Sequence, residues 1–409
     1  MVPSTKMNIR KPMHLKKHSL GKSTFYFVII LFGLTGISAE SSAQFSDNFQ
    51  VSGYLQGNPV RIAAELPEPI GDQSWMEYRL QNRLNVRWFA SSDLTFHWQM
   101  RTRFFAGDLV RDFPQYADGI DHDDGLINLS WMITRQDNWL LHYIPDRFYA
   151  EWDRGDWNIR VGRQRVNWGV NMITNPNDIF NIYSLYDFDY PERPGSDAIR
   201  VQRFIGFFSR LEVAISPGRE LRNSVAAALY SFQVRGYDIQ LISGYYKERF
   251  AGGAGWAGDY RGAGLKGETM YFADFEKENG SRETNFIISA SAEYMFGNSL
   301  FLITELLYNH EGGREEFMLL GEQITPDNPS FSKYQATTQI SYPIHPLVDG
   351  SLAAIYYPDE EAVFISPSLT WSVIENMDFQ ILGQFFMGSS DSVFGTAGNI
   401  LTASLKYSF

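Results

Sequence analysis

The chain has 409 residues, a net charge of −12 and no cysteine. An acidic chain of this kind is not built to hold a phosphate backbone, so nucleic acid is excluded as a partner. Without cysteine, disulfides contribute nothing to its stability.

The chain begins with a basic stretch: Lys6, Arg10, Lys11, Lys16, Lys17 and Lys22. An apolar run over 25–37 follows, and Ser41-Ser42-Ala43 supplies a small-x-small step. This order predicts a secretory signal over 1–43, with cleavage before Gln44. The apolar run is too short for a helix to cross roughly 30 Å of hydrocarbon. No cysteine follows it, which excludes a lipid anchor at that point. Later stretches never reach 18 consecutive apolar residues, so spanning by helices is not expected for the rest.

From residue 44 onward the dominant signal is alternation. In 75–89, Tyr78, Leu80, Leu84, Val86 and Trp88 alternate with Arg79, Gln81, Arg83, Asn85 and Arg87. In 93–105, Leu94, Phe96, Trp98, Met100 and Phe104 alternate with Thr95, His97, Gln99, Arg101 and Arg103. A two-residue period marks strands with one apolar and one polar face. A soluble sandwich shows the same period, but these strands exceed the usual five or six residues and reach the length a bilayer requires. Aromatic residues at 15 % suit girdles at two membrane interfaces.

Similar segments recur at 47–57, 124–134, 139–152, 156–164, 198–206, 208–216, 223–233, 236–249, 257–273, 284–296, 300–311, 332–342, 348–357, 362–374, 377–388 and 397–409. The expected fold is therefore all-β: a transmembrane antiparallel up-and-down barrel of about 18 strands (16–18), occupying 44–409 as one domain. With both termini at one end, odd-numbered connections should be long outer loops and even-numbered ones tight turns. Ten connections obey. The stretch 165–197 does not: this count puts it at the end bearing the termini. Either an upstream strand is misassigned, or the stretch is a plug entering from that end.

Register follows from the pattern. If Trp88 and Leu94 both face lipid, paired residues sum to an even number, and a three-residue turn at 90–92 sets Arg83 opposite Gln99 and Arg79 opposite Arg103. The same logic predicts a Gly297-Asn298-Ser299 turn with Glu293 and Glu305 pointing inward.

One block departs from alternation. It reads Arg160-Val161-Gly162-Arg163-Gln164, then Asn167-Trp168-Gly169, Asn175-Pro176-Asn177-Asp178 and Arg193-Pro194-Gly195. The block resembles one found in porin-like outer-membrane barrels of the alginate-export type and their relatives. That resemblance implies a segment folded into the lumen that narrows it. It gives no basis for assigning alginate as a solute. The residues alone give turn chemistry at Asn175-Pro176-Asn177-Asp178 and an aromatic content that argues against disorder.

The acids of this block, Asp178, Asp187, Asp189 and Glu192, are expected to face the arginine wall of Arg79, Arg83, Arg87, Arg101 and Arg103. Opposed charges across a narrow pore make a constriction that orients polar solutes. The competing readings are a rigid plug and a divalent-cation site. Enzyme readings find little: His97, His122, His142, His310 and His345 are scattered. Asp121-His122-Asp123-Asp124 reads as a solvated acidic loop rather than a metal site. Gly252-Gly253-Ala254-Gly255 lacks the lysine and helix of a phosphate loop and reads as a turn. No metal and no cofactor are expected.

The last residues alternate again: Leu401, Ala403, Leu405, Tyr407 and Phe409 against Thr402, Ser404, Lys406 and Ser408. A closing strand that ends on an aromatic resembles that of Gram-negative outer-membrane barrels. There, a terminal Phe and the residues two and four before it are read by the barrel-assembly machinery, which here implies Leu405, Tyr407 and Phe409. The expected function is a porin-like channel for small polar or acidic solutes in the outer membrane, with outer-membrane lipid as its other partner. The alternative is a non-conducting barrel serving as a scaffold in an envelope assembly. The oligomeric state is not legible.

Overall fold

The computed structural model describes residues 48–66, 71–123, 125–181, 195–275, 283–312, 324–389, 392, 394 and 398–409. The signal expected over 1–43 lies outside them, as do Asp187, Asp189 and Glu192.

Strands β1 (Phe49–Leu66), β2 (Gly71–Phe89) and β3 (Leu94–Gly107) follow as hairpins. Helices α1 (Asp108–Asp112) and α2 (Pro114–Ile120) come next, then a short β4 (Trp131–Arg135), β5 (Trp139–Arg154) and β6 (Trp157–Gln164). After a long excursion come β7 (Ser196–Ile205), β8 (Ser209–Ser216), β9 (Val225–Val234), β10 (Tyr237–Tyr246), β11 (Arg249–Tyr260) and β12 (Ala263–Asp274). The ring continues through β13 (Thr284–Met295), β14 (Phe301–Asn309), β15 (Tyr334–His345) and β16 (Val348–Tyr357). It finishes with β17 (Ala362–Ile374), β18 (Met377–Met387) and β19 (Asn399–Ser408).

All pairings are antiparallel, and β19 pairs with β1 to seal the cylinder. Closure removes every sheet edge, which is what lets strands stand in lipid without orphaned peptide groups. The seal runs to the final residue: Gly53 N donates to Phe409 O at 2.8 Å, and Phe409 N to Gly53 O at 2.9 Å. Gly53 is required there. A Cβ would strike the Arg83 carbonyl and lie 2.9 Å from the Phe409 ring.

Because β3 bonds directly to β5 over 94–106, β4 is not a rung of the cylinder, and eighteen strands close it. β4 instead lies along 140–143 of β5, on the edge β6 leaves bare when it ends at Gln164 and the chain turns inward.

Exposure is inverted relative to a soluble protein. Leu401 and Leu405 are 51 % and 47 % exposed, whereas Thr402 and Ser404 are 5 % and 6 % exposed. The apolar faces therefore point out to form a belt and the polar faces point in, as expected of a barrel in a bilayer.

The long loops share one end of the cylinder and the tight turns the other. The connection from β6 to β7 lies at the long-loop end, so of the two alternatives the misassigned upstream strand holds and entry from the end bearing the termini does not. Two segments account for the difference. Residues 124–134 hold only the short β4, and 236–273 hold three strands, not two. The Gly-rich 252–255 lies inside β11, not in a turn. One strand was thus overcounted and another missed, so the total survived while the direction of the intervening strands inverted. Residues 58–66 extend β1 beyond the expected 47–57, and the polarity reverses there: Val60 and Ile62 are buried and Arg61 is exposed.

The β2–β3 hairpin also shifts. Arg83 faces Arg101 and Arg79 faces Phe105, two residues away from the expected pairing. Ser91 Oγ accepts the backbone N–H groups of Asp93 and Leu94, lengthening the turn. The even parity holds, so each face is as expected. The β13–β14 turn is Gly297-Asn298-Ser299, with Met295 opposite Phe301 and Glu305 buried inside.

Inward apolar clusters crowd the long-loop end. Leu109 of α1 packs with Val60, Ile62 and Ile400, and Val110 and Ala117 with Phe105 and Leu140. Phe331 and Phe394 pack on Tyr357, Phe364 and Phe386. Each such side chain contributes on the order of 1.5–3 kcal/mol when withdrawn from water.

Candidate functional site

The lumen wall is chemically divided. Strands β2 to β8 turn nine arginines inward: Arg79, Arg83, Arg87, Arg101, Arg103, Arg147, Arg160, Arg200 and Arg210. Five carboxylates share that arc, Glu77, Asp146, Glu151, Asp153 and Glu212, so the arc is net cationic.

Four of the five predicted arginines are placed by their own partners. Arg79 pairs with Glu77, and its Nη2 lies 3.5 Å from the Tyr116 hydroxyl of α2. Arg83 grips Asp146. Arg101 Nη2 donates to Gln81 Oε1 at 2.7 Å. Arg103 Nη2 donates to His142 Nδ1 at 3.0 Å. Arg87 is exposed to the lumen, and no carboxylate among the described residues pairs with it.

Arg87, Arg83 and Lys406 line a recess of about 270 Å³ with Gln50, Ser52, Tyr54, Asn85 and Gln99. Lys406 Nζ sits 4.5 Å from the Tyr54 ring centroid. Arg87 and Lys406 form no ion pair among the described residues, and two such cations among amides and hydroxyls suit a small anion.

Opposite lies the inner segment, 165–181. It leaves β6, crosses the interior and is held by inward side chains of β8 to β15. Trp168 is 2 % exposed in an apolar cluster with Val166, Ile179, Leu229 and Met270. Its Nε1 donates to Glu212 Oε1 at 2.8 Å. Asn171 bonds Ser289 and Ser291 of β13, and Thr174 N donates to Glu305 Oε1 at 3.0 Å. Asn177 Nδ2 donates to Ala254 O at 3.0 Å. The inward Gly255 makes room for this docking: a Cβ there would lie 3.0 Å from Asn177 Nδ2 and 2.7 Å from Gln240. β3 and β13 stand nine places apart in the ring of eighteen, so the arginine arc and the docked segment face each other across the lumen.

Asp178, 2 % exposed, accepts the backbone N–H of Trp168 at 2.7 Å, and Arg165 lies 3.9 Å away. These contacts place it within its own segment, as a brace for the segment's backbone.

Asp121, Ser130 and His142 converge, but not as a nucleophile with its base. Arg103 can only donate, so His142 Nδ1 accepts and the ring proton sits on Nε2. Nε2–H then donates to Ser130 Oγ, which gives its own proton to Asp121 Oδ1, both at 2.6 Å. No lone pair remains on His142 to take a proton from the serine. Asp123 is likewise structural: it pairs with Arg163 at 2.7 Å and is not the solvated residue expected. Burial pushes its carboxyl up, yet the Arg163 guanidinium and the Leu129 and Gly125 N–H groups more than offset this and hold it below the usual range. Among the described residues no three His, Asp or Glu side chains group to hold a metal.

The sequence pattern marked Glu305 but missed Glu268, Glu212 and Asp146. Glu268 lies in the expected 257–273 segment, but its neighbours Gly267 and Thr269 give no apolar face that would mark it as inward. Asp146 sits at a β-bulge, where Asp146 and Arg147 both oppose the lumen, and a bulge breaks the period that marks inward residues.

No family model matches the chain, and no curated protein matches it in sequence. Solved structures do share its fold. A BenF-like porin from Pseudomonas fluorescens Pf-5 superposes with a TM-score of 0.56 at 8 % identity, over 89 % of this chain and 99 % of that one. OccAB4 of Acinetobacter baumannii gives 0.54 at 8 % identity, over 89 % and 99 %. OccK5 (OpdH) of Pseudomonas aeruginosa gives 0.54 at 8 % identity, over 88 % and 98 %. The chain thus has a porin fold; at these identities the likeness is one of fold alone.

Proposed function

We propose that the chain is an outer-membrane channel through which small polar or acidic solutes diffuse. The observation that carries this reading is the recess where Lys406 of β19 meets Arg87 at the edge of a net cationic arc, two inward cations held in no ion pair among the described residues. Solutes with a carboxylate would exchange water for guanidinium and ammonium donors there. The porin fold of the similar structures supports the reading. So does the resemblance of the 160–200 block to one in alginate-export-type barrels, a likeness resting on that block alone.

Arg79, Arg83, Arg87, Arg101 and Arg103 form one side of the proposed constriction. The inner segment, with Asp187, Asp189 and Glu192 beyond the described residues, forms the other, and Asp178 braces that segment from within. Leu405, Tyr407 and Phe409 are proposed as the assembly signal, and 1–43 as the export signal.

Reversal potential in a planar bilayer under a salt gradient tests the reading. Anion preference is expected, and Arg87→Gln with Lys406→Gln should erase most of it. Cation preference in the wild type would overturn it. Deleting 170–192 should raise conductance. A second reading, a non-conducting scaffold, is favoured by the apolar clusters crowding the long-loop end. Failure of liposomes to swell in any small solute would select it.

A further inference from the structure

Glu268 of β12 is fully buried inside the barrel and grips main chain, not a cation. Its Oε1 accepts the N–H groups of Val170 at 2.5 Å and Asn171 at 2.7 Å, and its Oε2 accepts that of Asn177 at 2.9 Å. One carboxylate thus ties both ends of the turn that carries the inner segment across the lumen. A second, Glu305 of β14, takes the Thr174 N–H between them.

The surroundings are acidic. On the inner segment the nearest charged group is Asp178, paired with Arg165. On β14 it is Glu305. Along β12 the next inward residue, Lys266, is already paired with Glu293 of β13 at 2.9 Å. On the other side Phe272 intervenes before Arg249, which is engaged by Asp274 and Asp327. β11 presents Gly253 and Gly255, β10 presents Gln240, and β13 presents Ser289. Glu212 of β8 is engaged with Trp168 and Gln202.

Both oxygens of Glu268 are filled by N–H donors. A proton arriving from solvent on either oxygen therefore has to displace at least one of them. Glu305 is held differently, with the Thr174 N–H shared between its two oxygens at 3.0 and 3.2 Å. We propose that Glu268 is an acid-released latch: protonation breaks its hold on the backbone of 170–177 and frees the inner segment from the β12 wall, widening the lumen. The consequence for conduction rests on the channel reading; the latch itself does not.

The experiment compares hydrogen exchange of 166–181 and single-channel conductance between about pH 7 and about pH 4, a window spanning the ordinary glutamate range. In the wild type, exchange protection, corrected for intrinsic rate, should fall by about tenfold on acidification, the worth of one charge-assisted hydrogen bond. Conductance should rise over the same interval. Glu268→Gln presents donors to donors and should show the acid state already at neutral pH, without further response. Because the chain has no cysteine, Asn171→Cys with Ser289→Cys can staple the segment to β13. The oxidised staple should abolish the response and reduction should restore it.

Protection that stays flat with pH in the wild type overturns the latch. So does an unchanged pH response in Glu268→Gln or in the oxidised staple. If protection behaves as stated while no current flows at any pH, the latch stands and the channel reading falls.

Discussion

Arg83 of β2 reaches over β3 to grip Asp146 of β5, with Nη1 2.7 Å from Oδ2 and Nη2 3.3 Å from Oδ1. Gln99 of β3, beneath the bridge, accepts from the same Nη2 at 2.9 Å. The bulge in β5 puts Asp146 within reach, next to Arg147. Removing one partner of a pair this buried leaves a desolvated charge and costs about 3–5 kcal/mol. Asp146→Asn is therefore expected to lower the unfolding midpoint in urea and to strengthen anion preference, since Arg83 borders the Arg87 recess. An unchanged midpoint would show the bridge to be incidental.

Gly53→Val tests the seal. The added side chain meets the Arg83 carbonyl and the Phe409 ring, so β1 and β19 cannot approach. The folded, heat-modifiable band on a cold gel should largely disappear. Gly297→Val, in the β13–β14 turn where a Cβ meets nothing within 4 Å, should leave that band in place.

Gly255→Val tests the docking of the inner segment from the wall side. The branched side chain would occupy the space of Asn177 and Gln240. Overpacking of this kind costs roughly 1–3 kcal/mol. The expected result is a folded barrel with raised conductance and weaker protection of 170–177. A folded barrel with unchanged protection would mean that the segment is held elsewhere.

The loop over 121–130 should respond to acid through Asp123. Its carboxyl is held below the ordinary range in the folded chain. The stability it adds is therefore complete above that range and drains away as pH falls through about 4 toward its lower folded value. The loss is on the order of 1–3 kcal/mol. Pepsin should begin to cut this loop below about pH 4, while Asp123→Asn should be cut to a similar extent across the acid range.

The sequence pattern was legible where side chains alternate in size and polarity. Trp88, Leu94 and Phe96 fixed the lipid face of β2 and β3, and the turn at Gly297 fixed β13 against β14. It failed where that contrast vanishes. β11 is built on Gly252, Gly253, Ala254 and Gly255, which carry almost no side chain to alternate, because Asn177 must come close. In 58–66 the polarity reverses since α1 covers Val60 and Ile62. The inner segment was recognisable from its turn residues, but its anchors were not. Gln240, which donates to the Trp168 carbonyl, lies 72 residues beyond it, and Glu268 lies 98 beyond Val170; only closure of the sheet brings them near.

β4 carries a last consequence. Where the chain departs from the wall after Gln164, a row of peptide groups on β5 would stand bare to hydrocarbon. The piece that covers them is borrowed from earlier in the chain. The partition and the patch are thus one invention in two places. Shortening the partition without reshaping the patch, or the reverse, would breach the wall itself, so insertions and deletions at these two sites must come as a matched set.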